Sequence, residues 1–403
     1  MDYIDTMTRF SRPTPSKIVM LVMDGLGGLP VKELGGRTEL EAARKPNIDK
    51  LARSSALGLH RPIAPGITPG SGPAHFALFG YDPVKWEMGR GVLETLGVGF
   101  DLKQGDVAVR TNFCTLDEKG LITDRRAGRI PTSECARLSE MLDKKVKLAG
   151  VKTFFMPVRD YRGGIVLRAK GLGANVGDTD PQVVGAKPLA AIGANAPSRK
   201  SAKLLNDIVK QTRRIIKNER PANGILLRGI SSYRPYPSFK DVYKLRAACI
   251  AVYPMYRGAS KIAGMDLIGQ PQTLDEELKL LKETWEDYDF FFFHFKYTDS
   301  KGEDGDVKGK VREIEKFDKA IPKVLKLKPD VLILTGDHST PTQLKSHSWH
   351  PVPLLISGPA LRADSSGKFG ETECSAGSLD IINATNIMPL AMAQAGKLLK
   401  FGA

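Results

Sequence analysis

Apolar runs without polar alternation predict four buried strands. They cover residues 17–23, 287–295, 331–334 and 352–356, and the second contains four consecutive phenylalanines. Strands that are covered on both faces have this pattern, which is typical of the parallel sheets of α/β proteins. Helices are predicted over residues 46–54, 132–142, 199–218, 273–284, 308–326 and 378–400.

The middle of the chain has a different texture, with shorter strand-like runs between about residues 101 and 251. These runs lie at 153–157, 165–167, 225–227 and 247–252. A chain of 403 residues is also long enough that two domains are expected. We therefore predict a discontinuous α/β domain, residues 1–85 and 256–403, interrupted by a smaller inserted α/β domain, residues 86–255.

Charge and cysteine usage narrow the classes of function. The formal charge of +15 predicts attraction to anions, but no basic run with interleaved aromatic residues indicates nucleic acid. Small phosphorylated metabolites fit this charge, and a generally basic surface is the alternative. The four cysteines lack CxxC spacing, which favours a reducing cytoplasm. No apolar run approaches the roughly 18 residues of a membrane span, and residues 1–17 do not resemble a signal peptide.

Three of the predicted strands are followed by acidic residues or histidines. These strand-end groups are Asp24, Asp299, Glu303, Asp337, His338 and His347. Because the carboxyl ends of the strands of an open α/β sheet carry its binding sites, we expect the groups to converge there. Mixed carboxylate and imidazole ligands suit Mn²⁺, Zn²⁺ or Fe²⁺ better than Ca²⁺, and this many ligands would serve two ions about 4 Å apart. The alternative is a set of solvated polar loops.

A serine framed by glycine and proline precedes a predicted short helix. Pro73 would open this helix, so Ser71 would lie at its N-terminus, where free N–H groups favour an alkoxide or a phosphate. His75 follows four residues later and would face the same side. The alternative is that Ser71 only caps the helix.

Arginines cluster at turns of the predicted inserted domain. The densest group is Asp-Arg-Arg-Ala-Gly-Arg at 124–129, and further arginines occur at 159, 162 and 228. Guanidinium groups bind phosphate and carboxylate bidentately, so the cluster indicates an anionic substrate, although a solvated surface position is the alternative for most single arginines. Metal ligands, a serine at a helix start and arginines together are the parts of a phosphoryl transfer through a phosphoserine.

A series of motifs follows in order along nearly the whole chain. They are VMDGLGG at 22–28, TPGSGPAHFALFGYDP at 68–83, GRGVLETLGVG at 89–99, DRRAGRI at 124–130, VYPMYRG at 252–258, HFKYTD at 294–299, and LTGDHSTP with HSWHPVP within 334–353. In these motifs the chain resembles the archaeal-type cofactor-independent (2,3-bisphosphoglycerate-independent) phosphoglycerate mutases of the alkaline phosphatase superfamily. The resemblance implies an alkaline-phosphatase-like three-layer α/β sandwich with an inserted smaller α/β domain, and a cytoplasmic isomerase of glycolysis and gluconeogenesis.

The resemblance also implies two divalent ions, Mn²⁺ in the first place, with Mg²⁺, Zn²⁺ and Co²⁺ as alternatives. One ion would be held by Asp24, Ser71, Asp337 and His338, and the other by Asp299 and His347. Ser71 would take the phosphoryl group of 3-phosphoglycerate and return it to the other hydroxyl of glycerate, which gives 2-phosphoglycerate.

Further roles are implied for basic residues. Lys296 would lie near the metals, and His75 would either shuttle protons or only buttress the serine. Arginines attributed to the inserted domain would hold the carboxylate and phosphate of the substrate, and the candidates are Arg125, Arg129, Arg162, Arg228 and Arg257, with Arg125 also in a catalytic role.

One position departs from the pattern of the family. After Thr298-Asp299 the family has Gly-His-Asp-Gly-Asp, with the histidine on the second metal, whereas this chain has Glu303 in that place. Glu303 would still ligate and, as a harder ligand, would favour Mg²⁺ or Mn²⁺. Two alternatives stay open, namely that His350 replaces the missing imidazole, or that the second site is weak and activity is low.

The sequence leaves three functions to compare. The first is the mutase, which the long insertion with its DRRAGRI motif favours. The second is a metal-dependent phosphatase, or another phosphoryl-transfer enzyme of the superfamily, in which water reaches the phosphoserine. The third is a non-catalytic relative that only binds phosphorylated metabolites.

Overall fold

The computed structural model of the protein describes residues 3–364 and 366–402. The chain forms two compact units. The first contains the residues up to Glu87 together with those from Tyr236 onwards, and the second runs from Met88 to Pro235.

The elements alternate between strands and helices along most of the chain. The strands are β1 (Ile18–Met23), β2 (Ala56–Arg61), β3 (Val107–Leu116), β4 (Ile122–Asp124), β5 (Lys152–Arg159), β6 (Arg162–Arg168), β7 (Gly224–Ser232), β8 (Ala247–Ala251), β9 (Asp266–Leu267), β10 (Phe290–Phe295), β11 (Val331–Thr335), β12 (Val352–Ser357) and β13 (Ile381–Asn383). The α-helices are α1 (Ile4–Phe10), α2 (Glu39–Ala42), α3 (Pro46–Ala52), α4 (Ser71–Leu78), α5 (Arg90–Gly97), α6 (Thr132–Lys145), α7 (Ala196–Ile215), α8 (Phe239–Tyr243), α9 (Pro254–Ile262), α10 (Leu274–Glu283), α11 (Tyr297–Asp304), α12 (Val307–Asp318), α13 (Ile321–Leu325), α14 (Glu371–Ser375) and α15 (Ile387–Gln394). Short 3₁₀ helices lie at Lys32–Leu34, Ala127–Arg129 and Ala384–Asn386.

The sheet of the first unit has eight strands in the order β13-β2-β12-β11-β1-β10-β8-β9. Its centre is parallel, because β1 pairs in parallel with both β10 and β11, and β10 pairs in parallel with β8. β12 is antiparallel to both β11 and β2. The parallel centre brings the carboxyl ends of β1, β10 and β11 to one edge of the sheet.

The phenylalanine run of β10 shows why both faces of the sheet are buried. Side chains alternate between the faces of a strand. Phe291 stacks on Trp285, and Phe295 packs against Phe317 of α12 on one face. On the other face, Phe292 packs edge-on against Phe79, directly after α4. Each face therefore needs its own apolar residues, which is why the sequence shows no polar alternation here.

The second unit is built on an antiparallel sheet of β4, β3, β6, β5 and β7, in which β3 pairs with β4, β6 and β7. Its core is formed by the inner faces of β3, β6 and β7 with α6 and α7. The pattern of α7 is amphipathic, since Leu205 and Ile208 are buried in this core while Lys203 and Lys210 are exposed. This unit thus has a core of its own.

The structure corrects the predicted return from the insertion. The first unit begins again at Tyr236, not at residue 256. The reason is that residues predicted to belong to the insertion include β8, which pairs with β10 in the large sheet. The earlier boundary, after Glu87, lies two residues from the predicted one at residue 85.

Two of the predicted helices were wrong in their extent. The segment 308–326 divides into α12 and α13, because Pro322 in the first turn of α13 starts a new helix. The segment 378–400 contains a helix only from Ile387 to Gln394. Before it, Ile381–Asn383 forms β13, which pairs with β2, and Asn383 caps the following 3₁₀ helix. Apolar residues that pair with a neighbouring strand were thus mistaken for a helical face.

None of the helices in the described part of the chain is long and apolar enough to cross a membrane. All four cysteines are buried and carry free thiols. The cytoplasmic location inferred from cysteine usage stays a prediction.

Candidate active site

The candidate site lies at the carboxyl edge of the central strands of the large sheet. β1 pairs in parallel with β10 and β11 in registers that align the ends of all three strands. The residues that follow leave the sheet at the same level, with Asp24 after β1, Lys296 after β10, and Asp337 and His338 after β11. Parallel topology alone therefore brings together groups that are far apart in the sequence.

A first group of possible metal ligands consists of Asp24, Asp337 and His338, all of them buried. His338 Nε2 lies 3.1 Å from Asp337 Oδ2 and 3.4 Å from Asp24 Oδ1. Ser71 Oγ lies 3.3 Å from the same Nε2 atom. The serine hydroxyl, two carboxylates and one imidazole thus surround a single point.

Gly25 allows the loop after β1 to approach this point closely. Its φ angle is +61°, and a Cβ atom there would lie 2.5 Å from Thr340 Oγ1 and 2.9 Å from Asp299 Oδ1. Its backbone N–H donates to Asp337 Oδ1 at 3.0 Å. Both the backbone conformation and the available space therefore require glycine at this position.

A second group consists of Asp299, His338 and His347. His347 Nε2 lies 3.6 Å from Asp299 Oδ1, and its ring stacks on that of His338 with the centroids 3.6 Å apart. His347 Nδ1 lies 3.0 Å from the carbonyl oxygen of Pro69, which fixes the direction of the ring. His338 thus belongs to both groups.

Glu303 lies on the same face of α11 as Asp299, one turn later, but at the border of the second group. Its Oε1 is 3.9 Å from His347 Nε2, and its side chain is 56% exposed. Among the described residues, His350 belongs to neither group of possible metal ligands. Its ring stacks on Trp349 at 4.2 Å, and its Nδ1 lies 3.1 Å from Ser348 Oγ.

Thr340 connects the two groups through its side chain. Its Oγ1 donates to Asp299 Oδ1 at 2.8 Å and lies 3.0 Å from His338 Nδ1. A hydroxyl that has given its proton to a carboxylate accepts from a ring N–H, so neutral His338 carries its proton on Nδ1. In that neutral form, which a bound cation would favour, Nε2 keeps its lone pair toward Asp24 and Asp337. An outer hydrogen bond of this kind orients a metal-binding histidine.

The buried carboxylates influence one another strongly. Burial, together with the charge of Asp337, raises the pKa of Asp24 well above its usual value. Burial also opposes ionisation of Asp337, but the neighbouring His338 holds the pKa of Asp337 well below its usual value. Burial acts to lower the pKa of His338, but the charges of Asp337 and Asp24 outweigh this effect and raise the pKa to about 9. Two carboxylates that face one imidazole would be stabilised by a further cation.

The ammonium of Lys296 contacts one carboxylate from each of the two sets of possible metal ligands. Its Nζ lies 3.0 Å from Asp24 Oδ2 and donates to Asp299 Oδ2 in a short hydrogen bond. Burial disfavours the charged lysine, but the two aspartates raise its pKa well above the usual value. In turn, Lys296 lowers the pKa of Asp299 to about 2, although burial opposes this. Lys296 is therefore charged and held in place.

The donor atoms fit divalent cations. Asp24 Oδ1 and Asp337 Oδ2 are buried and receive no hydrogen bond from the described residues. Buried carboxylate oxygens without a donor are costly, and a bound cation would satisfy them. Within each group the possible ligand atoms lie within 4.8 Å of one another, which fits ligand distances of about 2 Å to a shared ion.

Ser71 is the first residue of α4, and Gly70 is its N-cap. No side chain caps this helix, so the alternative that Ser71 only caps it is wrong. His75 is buried, and its Nδ1 lies 2.7 Å from the Ser71 carbonyl oxygen and 3.4 Å from Asp337 Oδ2. Burial lowers the pKa of His75. The ring therefore contacts the backbone of Ser71.

The sequence analysis missed two aromatic neighbours of Asp24. The Tyr256 hydroxyl donates to Asp24 Oδ2 in a short hydrogen bond. The His294 ring stacks on that of Tyr256 with centroids 3.8 Å apart and lies 5.1 Å from the ring of His75. The 252–258 motif contains Tyr256, but neither residue belongs to a strand-end pattern that would have indicated the site.

In the second unit, Asp180 holds two of the predicted arginines. Arg125 donates to both of its carboxylate oxygens, at 2.9 and 2.7 Å, and Arg228 Nη1 lies 3.4 Å from Oδ2. The Asp180 side chain is buried, whereas 27% of each arginine side chain is exposed. The hydrogen bonds with Asp180 raise the pKa of Arg125. No sequence pattern had indicated Asp180.

The other candidate arginines are not part of this pair. Arg162 Nη1 lies 3.3 Å from Asp160 Oδ2, and its guanidinium lies over the ring of Tyr161. Arg129 is exposed and has a φ angle of +55°. Arg257 was attributed to the inserted domain, but it belongs to α9 of the first unit. There it is buried, with its Nη1 3.4 Å from the Ala251 carbonyl oxygen.

The fold and this site define a class of protein. It has the arrangement of metal-dependent phosphoryl-transfer enzymes of the α/β class, with possible metal ligands at the carboxyl edge of a largely parallel sheet and a serine at a helix start. A solved structure shares this fold. The PH0037 protein of Pyrococcus horikoshii superposes with a TM-score of 0.84 at 33% identity, over 97% of this chain and 100% of that one.

Sequence comparisons define the family. A family model described as 2,3-bisphosphoglycerate-independent phosphoglycerate mutase matches residues 52–223. A probable enzyme of that name from Thermus thermophilus is 49% identical over 407 residues, which covers all of both chains. The cofactor-independent phosphoglycerate mutase of Thermoplasma acidophilum has a TM-score of 0.70 at 28% identity, over 94% of this chain and 100% of that one. The chain therefore belongs to the 2,3-bisphosphoglycerate-independent phosphoglycerate mutase family, as the resemblance predicted, and has the fold that it implied.

Proposed function

We propose that this chain interconverts 3-phosphoglycerate and 2-phosphoglycerate through a phosphoserine at Ser71. The observation that carries the proposal is the position of Ser71 Oγ, 3.3 Å from His338 Nε2 and thus beside the first ligand group. Relatives named as probable enzymes of this kind cover the whole chain at 49% identity, which supports the same reaction here.

Two divalent ions complete the site in this proposal. The first would be held by Asp24, Ser71, Asp337 and His338, and the second by Asp299 and His347, with Glu303 beside them. Bound divalent ions would lower the pKa of the serine hydroxyl and offset charge on the phosphoryl oxygens. The mixture of carboxylates and imidazoles favours Mn²⁺, with Mg²⁺, Zn²⁺ and Co²⁺ as alternatives.

The reaction consists of two phosphoryl transfers, and in each transfer one bond to phosphorus forms while another breaks. Ser71 Oγ loses its proton and forms a bond to phosphorus while the bond from phosphorus to O3 of the substrate breaks, and O3 takes up a proton. In the second transfer, O2 of the bound glycerate loses its proton and forms the new bond while the bond to Oγ breaks, and Oγ takes up a proton. Free Ser71 is regenerated, and no water or other reactant is consumed.

Basic residues and His75 would support both transfers. Lys296, which is charged, offsets negative charge near Asp24 and Asp299. The contact of His75 Nδ1 with the Ser71 carbonyl oxygen supports a buttressing role for His75 more than a proton shuttle. In the second unit, Arg125 and Arg228 would bind the carboxylate or phosphate of phosphoglycerate, because Asp180 holds their guanidinium groups while leaving part of each exposed.

The remaining arginines have weaker support as ligands of the substrate. Arg129 and Arg162 keep exposed surface in the second unit. Arg257 is buried, and its guanidinium lies near a backbone carbonyl, which supports a role in holding α9.

An enolase-coupled assay with 3-phosphoglycerate, run beside a measurement of inorganic phosphate release, tests the proposal. The mutase should give coupled turnover without phosphate release. It should lose activity on chelation of its metal ions and regain it with added manganese. Phosphate release in place of coupled turnover would instead establish a phosphatase, and neither signal at any manganese concentration would leave a binding protein.

Glu303 favours a second candidate, a weakly active relative with a poorly filled second site. Its side chain is mostly exposed and approaches His347 Nε2 only to 3.9 Å. Elemental analysis of the wild type and of Glu303→His tests this candidate, with Glu283→His as a control in which an exposed glutamate of α10 is changed. Two ions in the wild type exclude the weak site, whereas one ion in the wild type and in the control, but two in Glu303→His, support it.

A further inference from the structure

Lys310 is a fully buried lysine on α12, on a helix whose other lysines lie at the surface. Lysine is almost never fully buried unless its charge is compensated. Its Nζ donates to two backbone carbonyl oxygens, that of Gly27 at 3.0 Å and that of Thr340 at 2.9 Å. These carbonyls lie in different loops that are brought together beside the site.

Both loops carry ligands of the candidate metal site. The Gly27 loop begins with Asp24 after β1, and the Thr340 loop begins with Asp337 and His338 after β11. The loops also contact each other directly, since the Thr340 N–H donates to the Gly27 carbonyl oxygen at 3.0 Å. Lys310 therefore binds both loops at the point where they contact each other.

A single residue separates Lys310 from the second ligand group. Thr340, whose carbonyl accepts from Lys310, uses its side chain to bind Asp299 Oδ1 and His338 Nδ1. A shift of the Thr340 backbone would therefore move the hydrogen bonds that orient two possible ligands. Thr340 thus connects Lys310 to Asp299 and His338, with hydrogen bonds on both sides.

Two glutamates compensate the buried charge and hold the same loops. Burial lowers the pKa of Lys310, and Glu39 and Glu371 act against this effect. Glu39 Oε1 accepts from both the N–H and the hydroxyl of Thr342, two residues after Thr340. Glu371 Oε1 accepts from the N–H of Gly28, the residue after Gly27. Each charged group of this network thus ends on one of the two ligand loops.

We propose that Lys310 is a positioning residue that holds the Gly27 and Thr340 loops at the spacing which the metal ions require. This inference rests on the proposed function, because it concerns the same metal site. A purely structural role would need only a well-packed side chain, and replacing buried charges by apolar groups is often tolerated by a fold. The network instead ends on backbone groups of the ligand loops.

The test compares Lys310→Met with Lys397→Met in the full-length protein. Lys397 is also buried, and its Nζ donates to a backbone carbonyl, that of Thr14 at 2.6 Å, which belongs to neither ligand loop. Manganese affinity is measured by calorimetry on metal-depleted protein, and unfolding by circular dichroism. Turnover is then followed as manganese is raised.

We expect Lys310→Met to weaken manganese binding by about tenfold or more, the usual size of an outer-sphere effect on a metal site. Activity at low manganese should fall and recover as the ion saturates, with the KM for 3-phosphoglycerate unchanged. Lys397→Met should lower the unfolding temperature without changing manganese affinity. Wild-type affinity in Lys310→Met, or equal weakening in both variants, would overturn the proposal.

A second variant decides the question if Lys310→Met does not fold. The double variant Lys310→Met/Glu39→Gln removes one positive and one negative charge together and keeps an acceptor for Thr342. It should fold and still bind manganese more weakly than Glu39→Gln alone, and equal affinity of the two would count against the inference. A wild type that binds no divalent ion would refute the proposed function itself, which is a different result.

Discussion

Ser71 Oγ lies 3.3 Å from His338 Nε2, across a point that two buried carboxylates also face. The two residues come from opposite regions of the sequence, and their contact joins the start of α4 to the end of β11. A hydroxyl in this position faces groups that would bind a cation, which makes Ser71 the candidate nucleophile.

Replacement of Ser71 by alanine should abolish mutase turnover. The variant lacks the oxygen that forms the bond to phosphorus, so we expect a loss of at least about a thousandfold in the coupled assay. Mass spectrometry after exposure to 3-phosphoglycerate should find phosphate on this serine in the wild type only. Ser55→Ala, which removes a buried hydroxyl bound to the Leu51 carbonyl, is the control and should keep its activity. Full turnover by Ser71→Ala would refute the proposed mechanism.

Thr340→Val should weaken metal binding while preserving the fold. Valine has nearly the same shape but cannot join His338 Nδ1 to Asp299 Oδ1, so the imidazole loses the partner that fixes its tautomer. We expect manganese affinity to fall by about tenfold, and calorimetry measures it directly. Thr372→Val, at an exposed hydroxyl bound to Glu41, is the matched control. If both variants bind manganese like the wild type, Thr340 does not orient the histidine.

Arg125→Lys should raise the KM for 3-phosphoglycerate by about tenfold or more, because lysine lacks the planar fork that binds both oxygens of Asp180 while leaving further N–H groups for the substrate. In the structure this fork lies against Asp180, with hydrogen bonds of 2.9 and 2.7 Å. The control is Arg137→Lys, since Arg137 makes the same forked contact with the surface residue Glu134. An unchanged KM in Arg125→Lys would remove this arginine from the substrate site.

Glu371 should make stability depend on pH near neutrality. Burial raises the pKa of Glu371 to about 7 from 4.5, so the folded state binds more protons than the unfolded state between these values. Stability from this group is therefore greatest at low pH and is lost as pH rises through 7. In urea unfolding, Glu371→Gln should gain stability relative to the wild type on going from pH 5 to pH 8. A difference between the two proteins that does not vary with pH would contradict the shifted pKa.

The large sheet and the position of the site could be predicted from the sequence for a simple reason. A strand buried on both faces has a continuous apolar run, and the first polar residue after it must lie at the edge of the sheet. Asp24 follows such a run directly, and Asp337 follows one after only Thr335 and Gly336, so both could be recognised without any knowledge of their contacts. Parallel pairing then brings them together.

The rest depends on contacts that leave no local pattern. Lys310 lies on a charged amphipathic helix, where lysine ordinarily indicates solvent, and only packing shows that this one is buried. Asp180 lies on a loop with no hydrophobic periodicity, so nothing in the sequence indicates that it pairs with Arg125 and Arg228. β13 was mistaken for helix because its sequence, Ile-Ile-Asn, fits a helical turn equally well. Only its pairing with β2 shows that it is a strand.

The strand order also governs when the protein can become functional during its synthesis. β1 emerges early from the ribosome, but both of its neighbours, β10 and β11, are translated only after the whole second unit. Until then, both edges of a nascent β1 are unpaired, a state that is prone to aggregation. The second unit has its own core and is translated in between, so catalytic competence should appear late, together with the completion of the large sheet.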